Sequence, residues 1–248
     1  MKGLLCIILM FCNLQARAFD HSHSKFTDIL KERVNTLGAQ TLVDYKGLKN
    51  NPEQLDNYIN SLVAISEGEY KDFTADQKLA FLINAYNAYT LKLMRDNWPV
   101  KSIKDLGGFF SSPWKKEIFP LLGKKRSLDW IEHDTMRSEF DEPRIHFAVN
   151  CASLGCPPLR AEAFEASKLD VQLDEQARIF LNDRNENRFE GNTIKLSKIF
   201  DWYGKDFATN EKELVGVLNQ WRDQKFPENS KIEFLDYGWD ANVVGAKE

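Results

Sequence analysis

The stretch Arg144-Ile145-His146-Phe147-Ala148-Val149-Asn150-Cys151-Ala152-Ser153-Leu154-Gly155-Cys156-Pro157-Pro158 places a histidine close to two cysteines. Histidine titrates near neutrality and is the commonest general acid or base. Cysteine can be a thiolate nucleophile, half of a disulfide, or a metal ligand. Period-two spacing predicts a strand over 145–149. It sets Arg144, His146, Ala148 and Asn150 on one face and Ile145, Phe147, Val149 and Cys151 on the other. The polar face is the natural wall of a site, with Arg144 and Asn150 as candidate substrate-binding groups. A regular strand would point Cys151 away from His146; a turn at Asn150 would let them meet.

The cysteine pair has three readings. Cys151 and Cys156 can close a small disulfide loop, which suits an exported chain. Either can be a nucleophile activated by His146. With His133 and His146 they can also be set against zinc, although their order fits no standard zinc pattern. The disulfide leads, so no metal and no other cofactor is expected.

Asn84 and Asn87 lie three apart, hence on one helix face, with Tyr86 between them as a candidate substrate contact. In apolar surroundings both carboxamides need fixed partners. They can stitch the helix to a neighbouring segment, or one can orient the imidazole as in a Cys-His-Asn set. His133 lies four residues after Asp129 and four before Arg137. It is either a helix-packing histidine paired with Asp129 or a support for the His146 segment that contacts substrate.

Helices must carry most of these groups. Phe26, Ile29, Leu30, Val34 and Leu37 fall at steps of three and four, as do Leu55, Tyr58, Ile59 and Leu62. Residues 75–94 form the strongest helix, apolar on nearly every side and so central. Ser127 is placed to cap a helix beginning Leu128-Asp129-Trp130. Further helices are marked by Leu169, Leu173, Ala177, Phe180 and Leu181, and by Leu214, Val217, Leu218 and Trp221. Strands are expected at 117–122, 145–149, 189–196 (turning at Glu190-Gly191-Asn192) and 231–235. Asp201, Trp202, Tyr203 and Asp206 read as a helix packing its aromatics inward, or as a ligand surface. The loop Gly107-Gly108-Phe109-Phe110-Ser111-Ser112-Pro113-Trp114 either folds onto the core through its aromatics or forms a flap. The sum is an α+β fold, mostly helical, in a single domain with a small antiparallel or mixed sheet around the central helix.

The opening residues Met1 to Ala18 combine Lys2, an apolar run and Ala16-Arg17-Ala18, the pattern of a cleaved secretory signal. Periplasmic or secreted localisation is expected, with no transmembrane segment after cleavage and with His21 and His23 disordered at the new terminus. Losing Lys2 and Arg17 takes the net charge from −4 to −6, which argues against nucleic acid as a partner. Residues 19–70 are read as an N-terminal helical extension packed on the core, and 71–248 as the main domain.

Several stretches together resemble the domain of unknown function 547 family: Val43-Asp44-Tyr45-Lys46-Gly47-Leu48, Ala80-Phe81-Leu82-Ile83-Asn84-Ala85-Tyr86-Asn87-Ala88, Leu128-Asp129-Trp130-Ile131-Glu132-His133, and the 144–159 segment. Leu173-Asp174-Glu175, Phe180-Leu181-Asn182, Asp201-Trp202-Tyr203 and Asp206-Phe207 also fit its pattern. A closing motif survives in part as Tyr237-Gly238-Trp239-Asp240-Ala241-Asn242. The family implies no settled activity, and a distant likeness to papain-like or transglutaminase-like thiol enzymes is a fold-level analogy. Two functions are therefore weighed. One is a thiol-dependent hydrolase or transferase acting on an amide or ester in a small-molecule, peptide or envelope substrate. The other is a non-enzymatic envelope binding or scaffold domain held by a Cys151–Cys156 bridge.

Overall fold

The computed structural model describes residues 19–108 and 111–245; the leader read over 1–18 and Phe109-Phe110 lie outside them. Helix α1 (Ser24–Arg33) leads into a hairpin of β1 (Val34–Leu37) and β2 (Gln40–Val43). Three short helices follow, α2 (Tyr45–Asn50), α3 (Glu53–Val63) and α4 (Glu67–Asp72), then the long α5 (Ala75–Asp96). Strands β3 (Phe119–Leu121) and β4 (Lys124–Arg126) pair antiparallel. A π-helical run, Trp130–Met136, continues into α6 (Arg137–Glu139). Next come α7 (Ile145–Ala148) and α8 (Leu169–Asn182). Strands β5 (Arg188–Glu190) and β6 (Thr193–Leu196) precede α9 (Ile199–Phe207), α10 (Glu211–Leu218) and β7 (Lys231–Phe234). β6 pairs antiparallel with β5 and parallel with β7. The domain is α+β and mostly helical, with sheets of two, two and three strands among the described residues. Among the described residues no helix is long and apolar enough to cross a membrane.

α5 lies at the centre, as its all-round apolar pattern requires: every residue from Leu79 to Leu91 is buried. Thr74 and Gln77 close its first turn as a reciprocal capping box, satisfying amide groups that the helix start leaves free. Phe26, Leu55, Tyr58 and Leu62 of the N-terminal helices share its hydrophobic cluster. A second cluster gathers Phe147, Phe180 and Leu181 with Phe200, Phe207 and Leu214.

Two polar groups on α5 fix the chain around it. Asn84 donates to the Phe164 carbonyl at 2.7 Å and accepts from the Phe164 amide at 2.9 Å. Asn87 donates to the Ala148 carbonyl and accepts from the Asn150 amide, both at 2.9 Å. Each carboxamide replaces the strand partner that its loop lacks, as burial of a polar group demands.

Three local expectations are corrected. The strand over 145–149 is a helix, α7, with all four residues buried. A short apolar run enclosed on every side carries no periodicity that separates helix from strand, so the alternating face of Arg144, His146, Ala148 and Asn150 does not form. Val34 and Leu37 do not extend α1: Gly38, at φ +62°, turns the chain so that Val34 pairs with Val43. His21 and His23 are not disordered. His23 is 1% exposed, its Nδ1 lies 2.8 Å from the Tyr58 hydroxyl, and Phe19 packs edge-on against both imidazoles.

Burial, reinforced by His21, pushes the His23 pKa down from 6.5 to about 4. The unfolded chain therefore binds this proton more tightly. The contribution is fully present above pH 6.5 and is lost as pH falls towards 4, a change on the order of 3 kcal/mol. Denaturant titrations of His23→Gln between pH 7 and 4 are expected to show a flatter pH dependence than the parent; an equal slope would remove His23 from that role. Asn87→Ala leaves a buried carbonyl and a buried amide unpaired and is expected to cost about 2–4 kcal/mol in the same measurement at pH 7.

Candidate functional site

A cavity of about 280 Å³ opens between the π-helical run, α9, the 149–157 loop and the C-terminal segment. Tyr86 of α5, Glu132 and His133 of the π-helical run, His146 of α7, and both Cys151 and Cys156 reach it. π-helical turns widen the helix and recur at functional sites. Here Ser127 accepts the Trp130 amide at 3.0 Å and starts the helix where the sequence places its cap.

His146 is the most constrained group of the cleft. Its Nε2 lies 2.7 Å from Asp206 Oδ2, and its ring stacks on Tyr203 at 4.2 Å between centroids. Arg137 clamps the same carboxylate with two bonds, of 2.6 and 2.8 Å, while its third nitrogen lies 3.1 Å from His133 Nδ1. His133 Nε2 stands 4.0 Å from Asp129. An ionised carboxylate only accepts, so Nε2 of neutral His146 carries the proton and Nδ1 presents the free lone pair. Nδ1 faces Glu132 at 4.0 Å.

The environments drive these groups apart. The His146 hydrogen bond and the Arg137 clamp hold Asp206 far below the usual carboxylate range. Burial pushes Glu132 up, and the Tyr86 hydroxyl beside it opposes this only in part. Burial pushes His146 down and Arg137 adds to that, while Asp206 holds it back. At neutral pH the cleft therefore presents a neutral imidazole backed by a fixed anion, with a weakly acidic carboxyl beside it, an arrangement suited to proton transfer.

Cys151 and Cys156 are joined by a disulfide, with Cα atoms 6.1 Å apart. The Cys151 amide donates to Cys156 Sγ at 2.9 Å. The Tyr237 hydroxyl reaches both sulfurs, at 3.0 and 3.2 Å. Burial raises the Tyr237 pKa, so the phenol remains a donor. Cys156 is 2% exposed and Cys151 is half-buried. The bridged pair offers zinc no thiolate, and among the described residues no group of three or more His, Cys, Asp or Glu is placed to hold a metal.

The C-terminal segment carries Tyr237 into place. Leu154 and Gly155 donate to the Asp240 and Gly238 carbonyls at 2.8 and 2.9 Å, and Asn242 donates to that of Ala152 at 3.2 Å. A Cβ on Gly155 would stand 2.8 Å from the Gly238 amide nitrogen, so only glycine permits this approach. Trp239 follows on the same segment, and with Trp114, Trp202, Tyr203 and Tyr237 it makes an aromatic wall. Trp202 lies 4.9 Å from Tyr237 and 5.8 Å from Trp239 between centroids. The loop after Gly107 supplies Ser112 and Trp114 to the cavity, and Trp114 packs on the core.

The structure thus gathers Tyr86, His133, His146, Cys151 and Cys156 and sets the other sequence candidates elsewhere. Asn84 and Asn87 hold backbone, and neither is the partner of His146. Asn150 is buried, bonded to the Pro157 carbonyl and the Ala152 amide. Arg144 turns away to Glu142, Asp170 and Asp174. Sequence reasoning missed Glu132, Arg137 and Tyr237 as site residues and took the Asp206 helix first as packing. The signals were the Asp206-Phe207 and Tyr237-Gly238-Trp239 stretches.

Residues 70–181 match the family model described as protein of unknown function, DUF547. That segment, somewhat under half of the chain, is similar to the DUF547 family. No curated protein and no solved structure matches the chain. The DUF547 match holds Tyr86, Glu132, His133, His146 and both cysteines, whereas Asp206, Tyr203 and Tyr237 lie beyond it. The cleft is therefore completed by chain beyond the matched segment.

Asp206→Asn removes both the hydrogen bond to an anion and the charge that offsets Arg137. The His146 pKa is expected to fall further, read by NMR titration of the imidazole. An unchanged or higher value would show that Asp206 does not set the charge state of His146.

Proposed function

We propose that this cleft is the catalytic centre of an exported hydrolase or transferase acting on an amide or ester, with a thiol as nucleophile. The observation that carries this reading is the shared wall: an imidazole oriented by Asp206 and both cysteine sulfurs line one cavity. The bridged state is the resting form. A dithiol reductant donates two electrons and two protons, becomes a disulfide itself, and leaves Cys151 and Cys156 as thiols.

Cys151 is the more accessible sulfur and so the nucleophile. His146 Nδ1 accepts the thiol proton as the sulfur attacks the carbonyl carbon. The same proton passes to the leaving amine or alcohol as the carbon–heteroatom bond breaks, giving an acyl-thioester. Water, or an acceptor amine or alcohol, then gives a proton to His146 and attacks the thioester. Collapse releases the acyl product, and the sulfur recovers its proton. Asp206 fixes the ring and its tautomer throughout, the part an aspartate or asparagine plays in such triads. The aromatic wall offers a face for an apolar or planar group of the substrate.

A second reading, a non-enzymatic envelope binding domain, is favoured by one observation: the bridge is closed and the Tyr237 hydroxyl rests on both sulfurs.

Mass spectrometry of the purified protein is expected to show a deficit of one pair of hydrogens that reductant restores. After reduction, iodoacetamide should label Cys151 well before Cys156, and His146→Ala should slow that labelling by roughly 10²–10⁴. Ester or amide turnover that appears only after reduction and is lost in Cys151→Ser supports the thiol mechanism. Slow labelling of both cysteines, indifferent to His146, together with ligand binding to the bridged form, would leave the binding domain instead.

A further inference from the structure

A second cavity, of about 230 Å³, lies between α4, the start of α5, the β3–β4 hairpin and the outer side of the π-helical run. It is separate from the cleft, with which it shares the run: Trp130 and Thr135 face this hollow, while Glu132 and His133 face the other. Two buried polar atoms of its lining, Tyr70 Oη and Arg126 Nε, have no hydrogen-bond partner among the described residues. Tyr70 is 7% exposed. Buried polar groups are ordinarily hydrogen-bonded, so two unpaired ones sharing one hollow call for a common partner.

The chemistry of that partner follows from the donors. Arg126 Nε–H can only donate, and a phenol donates readily to an anion. The Arg126 guanidinium is held 3.8 Å above the Trp130 ring, which fixes its plane. Lys78 is anchored with its ammonium on the Lys71 carbonyl at 2.8 Å, and 5.8 Å from the Tyr70 ring. Lys71 is paired with Glu67 at 3.7 Å. Among the described residues neither Arg126 nor Lys78 has a carboxylate partner, and Glu139, exposed, is the remaining acid of the lining. The hollow thus offers a phenol, a guanidinium Nε and an ammonium with which neither lining carboxylate, Glu67 or Glu139, forms an ion pair or hydrogen bond among the described residues.

We propose that this cavity binds a phosphate group, free or carried by a larger molecule, through Tyr70 Oη, Arg126 and Lys78. Charge-assisted hydrogen bonds from a fixed guanidinium are the usual means of holding such an anion.

The test uses the full chain and calorimetric titration with inorganic phosphate and with glycerol phosphate, each against chloride at matched ionic strength. Both phosphates are expected to bind and to raise the melting temperature where chloride does not. Arg126→Gln and Tyr70→Phe should each weaken binding about tenfold. Tighter binding of the monoester assigns the site to a phosphorylated molecule, and tighter binding of inorganic phosphate to the free anion; either supports the site. Tyr70→Phe should leave the phosphate-free melting temperature unchanged or higher, because the hydroxyl it removes is unpaired. A hollow that holds only water gives the reverse, a Tyr70→Phe protein destabilised equally with and without phosphate, and overturns the proposal. So does phosphate binding that Arg126→Gln and Lys78→Gln leave intact. None of these readouts involves the thiols, so this site and the cleft chemistry stand or fall separately.

Discussion

The architecture depends on two carboxamides inside an otherwise apolar helix. α5 is so thoroughly enclosed that any polar atom on it must be matched, and Asn84 and Asn87 are matched by backbone rather than by side chains. Asn87 takes the last carbonyl of α7 and the amide of Asn150, so one side chain fixes both the end of the helix that bears His146 and the start of the loop that bears Cys151. Misplacing it would leave two backbone groups buried without partners, a cost comparable to a large part of the net stability of a domain. Asn87 is therefore the residue that positions the segments bearing His146 and Cys151.

From that anchor the cleft is assembled by pieces that are far apart in the chain. His146 comes from a four-residue helix, its carboxylate partner from the end of α9, and the phenol on the sulfurs from the C-terminal segment. The last of these approaches only because Gly155, with no Cβ, lets the two backbones come together. Arg137 gives Asp206 a permanent counter-charge, which keeps the carboxylate ionised while the imidazole remains neutral. The disulfide then closes the loop beside them. In this state an imidazole held by Asp206 shares one cavity with the bridged cysteines.

Much of the scaffold was legible because its signals are local. The 75–94 periodicity, the Ser127 cap and the Glu190-Gly191-Asn192 turn depend on neighbours within a few residues, and the structure carries all three. The bridge between Cys151 and Cys156 was legible for the same reason, since a short loop separates the two residues. The run 145–149 was misread because enclosure erased its polar face, and His23 because a terminal position says nothing about the aromatic pocket waiting for it. Asp206, Glu132 and Tyr237 were quoted within motifs, yet no spacing links them to His146.

By itself the sequence determined which residues could do chemistry, which helix must lie at the centre, and that two carboxamides on it would need partners. These follow from hydrophobicity, hydrogen-bonding capacity and short-range geometry, which each residue type carries with it. Only the tertiary structure decided that Asn87 holds backbone while Asp206 holds the imidazole, and that a tyrosine from the C-terminal segment rests on the bridge. Those pairings lie 60 and more positions apart in the chain. They are selected by how all the surrounding surfaces pack, and no local pattern encodes that choice.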